Sequence, residues 1–164
     1  VYNTSNSDLP RNTIRSIAID SAGTKWIGTE FGGLASFDGS NWAVYDTSNS
    51  GLPDNVILPI VIDSDGTKWI GTIFGGLASF DGSNWTVYNT SNSGLSSNII
   101  RSIAIDSEGT KWIGTYGLVS FDGSNWTVYN TSNSGLPDNV IETIAIDSEG
   151  TKWIWDIEFW LGFL

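Results

Sequence analysis

The chain has no cysteine, no histidine and no methionine, and its 164 residues include only seven lysines and arginines. Without cysteine there is no disulfide, no thiolate nucleophile and no thiolate metal ligand. Without histidine the commonest general base and metal ligand is gone. Without methionine, residue 1 is not an unprocessed translation start. A fragment, or a mature product that has lost a leader, is expected. No apolar run is long enough to cross a bilayer, so membrane insertion is not expected. Eighteen Asp and Glu against seven cations give a formal net charge of −11. Binding nucleic acid means displacing counterions with Lys and Arg, so that partner is excluded, and an anionic membrane surface is disfavoured on the same ground.

What is present is aromatic and turn-rich. Aromatic residues make up 13% of the chain, with nine Trp and 19 Gly. This is the mixture of an ordered, mostly β protein with many tight turns. Lys-Trp-Ile recurs at Lys25-Trp26-Ile27, Lys68-Trp69-Ile70, Lys111-Trp112-Ile113 and Lys152-Trp153-Ile154. The four Trp are spaced by 43, 43 and 41 residues. The last interval is shorter because Glu30-Phe31-Gly32-Gly33 and Ile73-Phe74-Gly75-Gly76 become Tyr116-Gly117, which marks a loop.

Each repeat reads as four strands. In the first copy these are 14–19, 24–29, 34–37 and 42–45, separated by Asp20-Ser21-Ala22-Gly23, by the 30–33 loop and by Asp38-Gly39-Ser40-Asn41. Asp-Gly between short apolar runs is a hairpin signal. A polar connection, 46–55, leads to the next copy, with Pro53 fixing its backbone. One such sheet cannot bury both faces, whereas stacking sheets radially does. The expected fold is therefore an all-β propeller of four-stranded antiparallel blades, about four per chain. Three are complete and one is composite, at about 11–46, 54–89, 97–130 and 138–164, with 1–3 as a candidate closing strand. The whole of 1–164 is one domain. The β-branched first strand suits the channel, and Trp, Phe and Tyr of the outer strands fill the gaps between blades. A stacked solenoid is the rival architecture, and the Asp-Gly hairpins argue against it.

The pattern Ile-Ala-Ile-Asp-Ser-x-Gly-Thr-Lys-Trp-Ile-Gly-Thr followed by Gly-Gly-Leu-Ala-Ser-Phe-Asp-Gly resembles the two-component-regulator propeller repeat. It matches at 17–29 with 32–39, at 60–72 with 75–82, where Val61 replaces Ala, and in shortened form at 103–123. The resemblance implies a periplasmic or extracellular propeller, of the kind found in sensors that respond to glycans, and no catalytic motif. No helical, kinase or DNA-binding segment accompanies the repeats, and sensor propellers have more blades, so a whole sensor is not expected.

Asp63-Ser64-Asp65-Gly66 invites a calcium reading, but the first copy has Ala22 in place of Asp65 and no distal Glu follows. Side chains capping hairpin turns are the simpler account, and neither a metal nor any other cofactor is expected. Serine has no histidine to activate it, and Glu30, Glu142 and Glu158 form no evident pair, so catalysis is not expected. Asn-x-Ser/Thr at Asn3, Asn84, Asn89, Asn125 and Asn130 would accept glycans only in a eukaryotic secretory route.

Comparison between copies isolates the variable positions. They are Arg15/Leu58/Arg101/Glu142 in the first strand and Glu30-Phe31/Ile73-Phe74/Tyr116 in the following loop. Both sets fall on one face of a propeller, so Arg15, Glu30, Phe31, Phe74, Arg101, Tyr116 and Glu142 are the candidate ligand-binding residues for a glycan or protein. Drift at unconstrained positions gives the same pattern. The fourth copy leaves the repeat after Lys152-Trp153-Ile154 and continues as an apolar tail that could supply a third strand. An exposed tail of this kind would aggregate, so it is expected to be buried within the chain or between chains. This defines a second reading, a structural subunit that joins copies of itself into a dimeric ring or a filament. Its assembly residues would be Val1, Tyr2, Trp155, Ile157, Phe159, Trp160, Leu161 and Phe163.

Overall fold

The computed structural model describes residues 1–156 and the backbone of 161–163. Alternating β-branched and aromatic runs, cut at Asp-Gly and Asp-x-x-Gly turns, fold into four antiparallel sheets. The first blade is β1 (Ile14–Ile19), β2 (Lys25–Thr29), β3 (Leu34–Phe37) and β4 (Trp42–Tyr45). The second is β5 (Ile57–Ile62), β6 (Lys68–Thr72), β7 (Leu77–Phe80) and β8 (Trp85–Tyr88). The third is β9 (Ser102–Ile105), β10 (Lys111–Thr115), β11 (Gly117–Phe121) and β12 (Trp126–Tyr129). The fourth has β13 (Ile141–Ile146), β14 (Lys152–Asp156) and β15 (Leu161–Phe163). Within each sheet the strands pair in chain order, which is a meander.

The second strand begins at Lys25, not at Thr24. Thr24 is held in the turn, where its N–H donates to Asp20 Oδ1 at 3.0 Å and its carbonyl accepts from Asp20 N. The apolar tail does supply a third strand, because β15 pairs with β14. Residues 1–3 join none of the described sheets. Instead Tyr2 lies edge-on to Phe37 at 5.1 Å and Trp42 at 5.6 Å.

The inner strands β1, β5, β9 and β13 touch in succession and line the channel. Aromatic rings fill the wider gaps outside them, as Trp26 with Phe80 at 6.0 Å and Tyr45 with Trp85 at 5.9 Å. The core is divided accordingly. One cluster lies between the first two blades around Trp26, Ile57, Ile60 and Phe80, and the next lies between the second and third around Trp69, Ile100, Ile103 and Phe121.

A charged latch crosses every one of these gaps. Asp20 Oδ2 accepts from Trp26 Nε1 at 2.9 Å in its own blade, and Lys68 of the next blade places Nζ 3.9 Å from that oxygen and 4.7 Å above the Trp26 ring. Asp63, Trp69 and Lys111 repeat the arrangement, with the ion pair at 3.8 Å. Asp106, Trp112 and Lys152 repeat it again, at 3.9 Å. The lysine stems are nearly buried, so the charge is compensated rather than solvated. Each Asp also caps its turn, Asp63 Oδ1 accepting from the N–H of Asp65 and of Thr67. These carboxylates are therefore turn caps, as the repeat's chemistry leads one to expect.

Burial acts to raise Asp20 and Asp106, but the indole N–H, the turn N–H groups and the next blade's lysine outweigh it and hold both below the ordinary value of 3.8. Asp38, in the outer turn, falls to about 2 through donation from the Asn41 side chain and backbone. A folded pKa below the unfolded one stabilises the fold above the ordinary carboxyl range, and the gain is lost as pH falls through the folded value. The unfolding temperature, followed by circular dichroism, is expected to change little between about pH 7 and 5 and to drop steeply below about pH 4. A flat profile to pH 2 would mean that the latch carboxylates contribute nothing.

Candidate functional site

In the first, second and fourth blades the pairing of the first strand slips at one place. Register breaks between Ile14 and Ser16, between Ile57 and Ile60, and between Ile141 and Thr143. The unpaired residues are Arg15, Leu58-Pro59 and Glu142. A bulge frees a residue from the ladder and re-aims its side chain, and Pro59 has no N–H to lose there. Arg101 stands in the same place in the third blade, immediately before β9, with its N–H donating to Gly114 O at 2.9 Å. In three of the four blades the variable first-strand position is thus one that the ladder skips.

These residues meet the loop after the second strand on one face, around a groove of about 440 Å³. Arg15, Glu30 and Phe31 come from the first blade, Phe74 from the second, Arg101 from the third and Glu142 from the fourth. Arg15 donates to Glu30 at 2.7 Å, and Arg101 reaches across the gap between blades to Glu142 at 2.8 Å. The groove thus holds two cations and two anions in balance. Each pair is part-exposed, so its role is to fix the side chains rather than to stabilise the fold. Below the groove, Arg15, Leu58 and Arg101 also border the channel, beside Ser16, Pro59 and Ile60.

Phe31 and Phe74 stand 65% and 71% exposed. A second concavity of about 460 Å³ lies on their other side, floored by Pro53, Asp54 and Asn55. The Phe74 loop is held by its own N–H, which donates to Asp54 Oδ2 at 2.8 Å. Phe31 adopts φ 63°. A bulky residue in that region is strained, and such strain is typical of sites that present a side chain for use.

Six of the seven residues expected from the sequence are brought together here. Tyr116 is not among the groove residues; it sits exposed at the tip of a tight turn, where Thr115 pairs directly with Gly117. Three lining residues were not anticipated: Val56, Leu58 and Ile73. All three carried a signal, since each varies between copies; Val56 stands where the others have Thr13, Ile99 and Val140. Of the assembly candidates, Val1, Tyr2 and Trp155 are exposed. Ile157, Phe159 and Trp160 lie outside the described residues, as do the side chains of Leu161 and Phe163, and with them the expected burial of the tail.

Radial four-stranded meanders around a channel define a β-propeller. Residues 94–117 match the family profile of the two component regulator propeller. The chain is similar to the extracellular domain of a hybrid two component system of B. thetaiotaomicron, with 30% identity and a TM-score of 0.86. That match covers 99% of this chain and 23% of the other, so the chain spans about a quarter of that domain. It also resembles virginiamycin B lyase from Staphylococcus aureus (13% identity, TM-score 0.70, 99% of this chain and 58% of the lyase). A surface component of the type-IX secretion system of Porphyromonas gingivalis is a third likeness, with 17% identity and a TM-score of 0.65 over 92% of this chain and 25% of that one. No curated protein matches the chain.

Proposed function

We propose that the chain is a non-catalytic recognition module, working outside the cytoplasm, that holds an uncharged stretch of glycan across the loop-face groove. One observation carries this reading: four blades contribute to a single groove in which two exposed Phe rings flank balanced Arg–Glu pairs. Aromatic faces stack on the C–H faces of sugars, and paired charged groups offer donors and acceptors to hydroxyls without selecting a charge. Side chains already tied to one another lose little freedom on binding, so the groove is pre-organised. The similarity to the extracellular domain of a hybrid two component system supports the location.

The test is titration calorimetry with neutral oligosaccharides chosen from an array. Phe74→Ala is expected to weaken a hit at least tenfold, equivalent to about 1.4 kcal/mol. Tyr116→Ala, outside the groove, is expected to leave affinity unchanged. An array without neutral hits, or equal effects of the two substitutions, would overturn the reading.

A further inference from the structure

Every blade has two unlike faces. The leading face receives the blade before it; in the second blade this is Ile57, Ile60 and Ile70 packed on Trp26, with Lys68 completing the latch. The trailing face offers the Asp–Trp half of the latch together with a glycine. Those glycines leave no room. An added Cβ would lie 2.6 Å from Ile57 Cγ2 at Gly28, 2.6 Å from Ile100 Cγ2 at Gly71, and 2.9 Å from the Ile141 carbonyl oxygen at Gly114.

The leading face of the first blade is open. Ile17 and Ile19 are 61% and 62% exposed, whereas Ile60, the counterpart of Ile17, is 6% exposed. Lys25 holds the position of Lys68, Lys111 and Lys152, but takes part in none of the ion pairs found among the described residues. Tyr2 already lies on Phe37 and Trp42 as Tyr45 lies on Phe80 and Trp85. Tyr2 thus fills, on this face, the place that the neighbouring blade's fourth-strand ring takes on the second blade.

The trailing face of the fourth blade repeats the latch half, with Trp153 Nε1 donating to Asp147 Oδ2 at 2.7 Å. The glycine position, however, is Trp155. It pairs with Thr143 as Gly28 pairs with Ser16, so its side chain leaves the sheet on the latch side. An indole stands where three other blades cannot accept one carbon.

We propose that the leading face of the first blade is a docking seat for one further blade of this repeat, carrying Asp, Trp and Gly at the positions of Asp20, Trp26 and Gly28. The fourth blade's Trp155 closes the opposite face to the same docking. The occupant is specified by charge, since Lys25 needs an Asp–Trp pair, and by shape, since the counterpart of Ile57 in this blade is Ile14, which needs a glycine. A second copy of this chain does not fit, because the face it would bring carries Trp155.

The test joins an extra copy of residues 11–43 directly ahead of Val1, so that Val1-Tyr2 completes its fourth strand, and reads the acylation rate of each lysine by mass spectrometry. Lys25 in the extended chain is expected to slow at least tenfold, to the rate of Lys68, and the unfolding temperature to rise. The same extension with tryptophan at the glycine copied from Gly28 is expected to leave Lys25 as reactive as in the parent. The proposal is overturned if Lys25 stays reactive in the glycine extension, or if both extensions protect it equally. It is equally overturned if Lys25 of the unextended chain becomes protected as concentration rises, because a second copy would then be the occupant.

Discussion

Gly76→Ala is expected to lower stability by about 4 kcal/mol, a fall in unfolding temperature of roughly 8–16 °C for a chain of this length. Two costs coincide there. Gly76 has φ +87°, a left-handed conformation that costs an L-residue about 1–2 kcal/mol. Its added Cβ would also stand 2.2 Å from the carbonyl oxygen of Tyr88. That oxygen belongs to the backbone of the paired outer strand, so relief requires the strand itself to move. Displacing Gly76 further disturbs its carbonyl, which accepts from buried Thr72 Oγ1 at 2.8 Å, and its N–H, which donates to Asn98 O at 3.0 Å. Gly66→Ala is the control. Its φ is +82°, and nothing lies within 4 Å of the added carbon. It bears the conformational cost alone, about 1 kcal/mol or roughly 2–4 °C. Equal losses in thermal melts of the two variants would sink the steric argument.

The contrast shows which parts of this molecule are written locally. Strand bounds and turns were legible because their chemistry lies within a few residues: Asp38 receives the N–H groups of Ser40 and Asn41 in its own turn. Gly66 in such a turn needs only its own φ. The groove was legible for a different reason. Arg15, Glu30, Phe31, Phe74, Arg101 and Glu142 change between copies that packing otherwise holds constant, and positions that packing ignores are those free to face a ligand. Tyr116 met the same criterion and lies elsewhere, because shortening the loop to Tyr116-Gly117 turns it into a tight tip. The bulges could not be read from alternation, since Arg15 and Leu58 break it in the same way as an ordinary exposed residue; Pro59 was the one cue. The latch was hidden for a topological reason. Lys68 and Asp20 belong to different repeats, and each has a sufficient local explanation, a strand end and a turn cap. Only the stacking of one blade on the next brings them within 3.9 Å.

Asp106→Ala is expected to cost about 3 kcal/mol, in the range for breaking a compensated buried pair, and so roughly 6–12 °C. The substitution strands three kinds of group at once. Trp112 Nε1 loses its acceptor at 2.8 Å, the N–H groups of Glu108 and Thr110 lose the turn cap, and Lys152 loses its counter-charge at 3.9 Å with its ammonium still above the Trp112 ring. Asp147→Ala removes the same turn bonds, to Glu149 and Thr151, and the same indole bond, but no lysine pairs with Asp147 among the described residues. It is expected to cost clearly less, since only ordinary hydrogen bonds at an accessible turn are lost. The difference between the two losses is the contribution of stacking a charged blade on the one before it. Lys152→Met, which keeps the stem over the indole and deletes the charge, closes a double-mutant cycle with Asp106→Ala and should show a coupling of about 1 kcal/mol or more. The coupling has a pH signature. Because the folded carboxyl of Asp106 sits below its ordinary value, the coupling should persist at pH 5 and vanish once the pH has fallen through that value. Equal losses for Asp106→Ala and Asp147→Ala, or a coupling unchanged at pH 2, would mean that the blades are held by their aromatic and aliphatic faces alone.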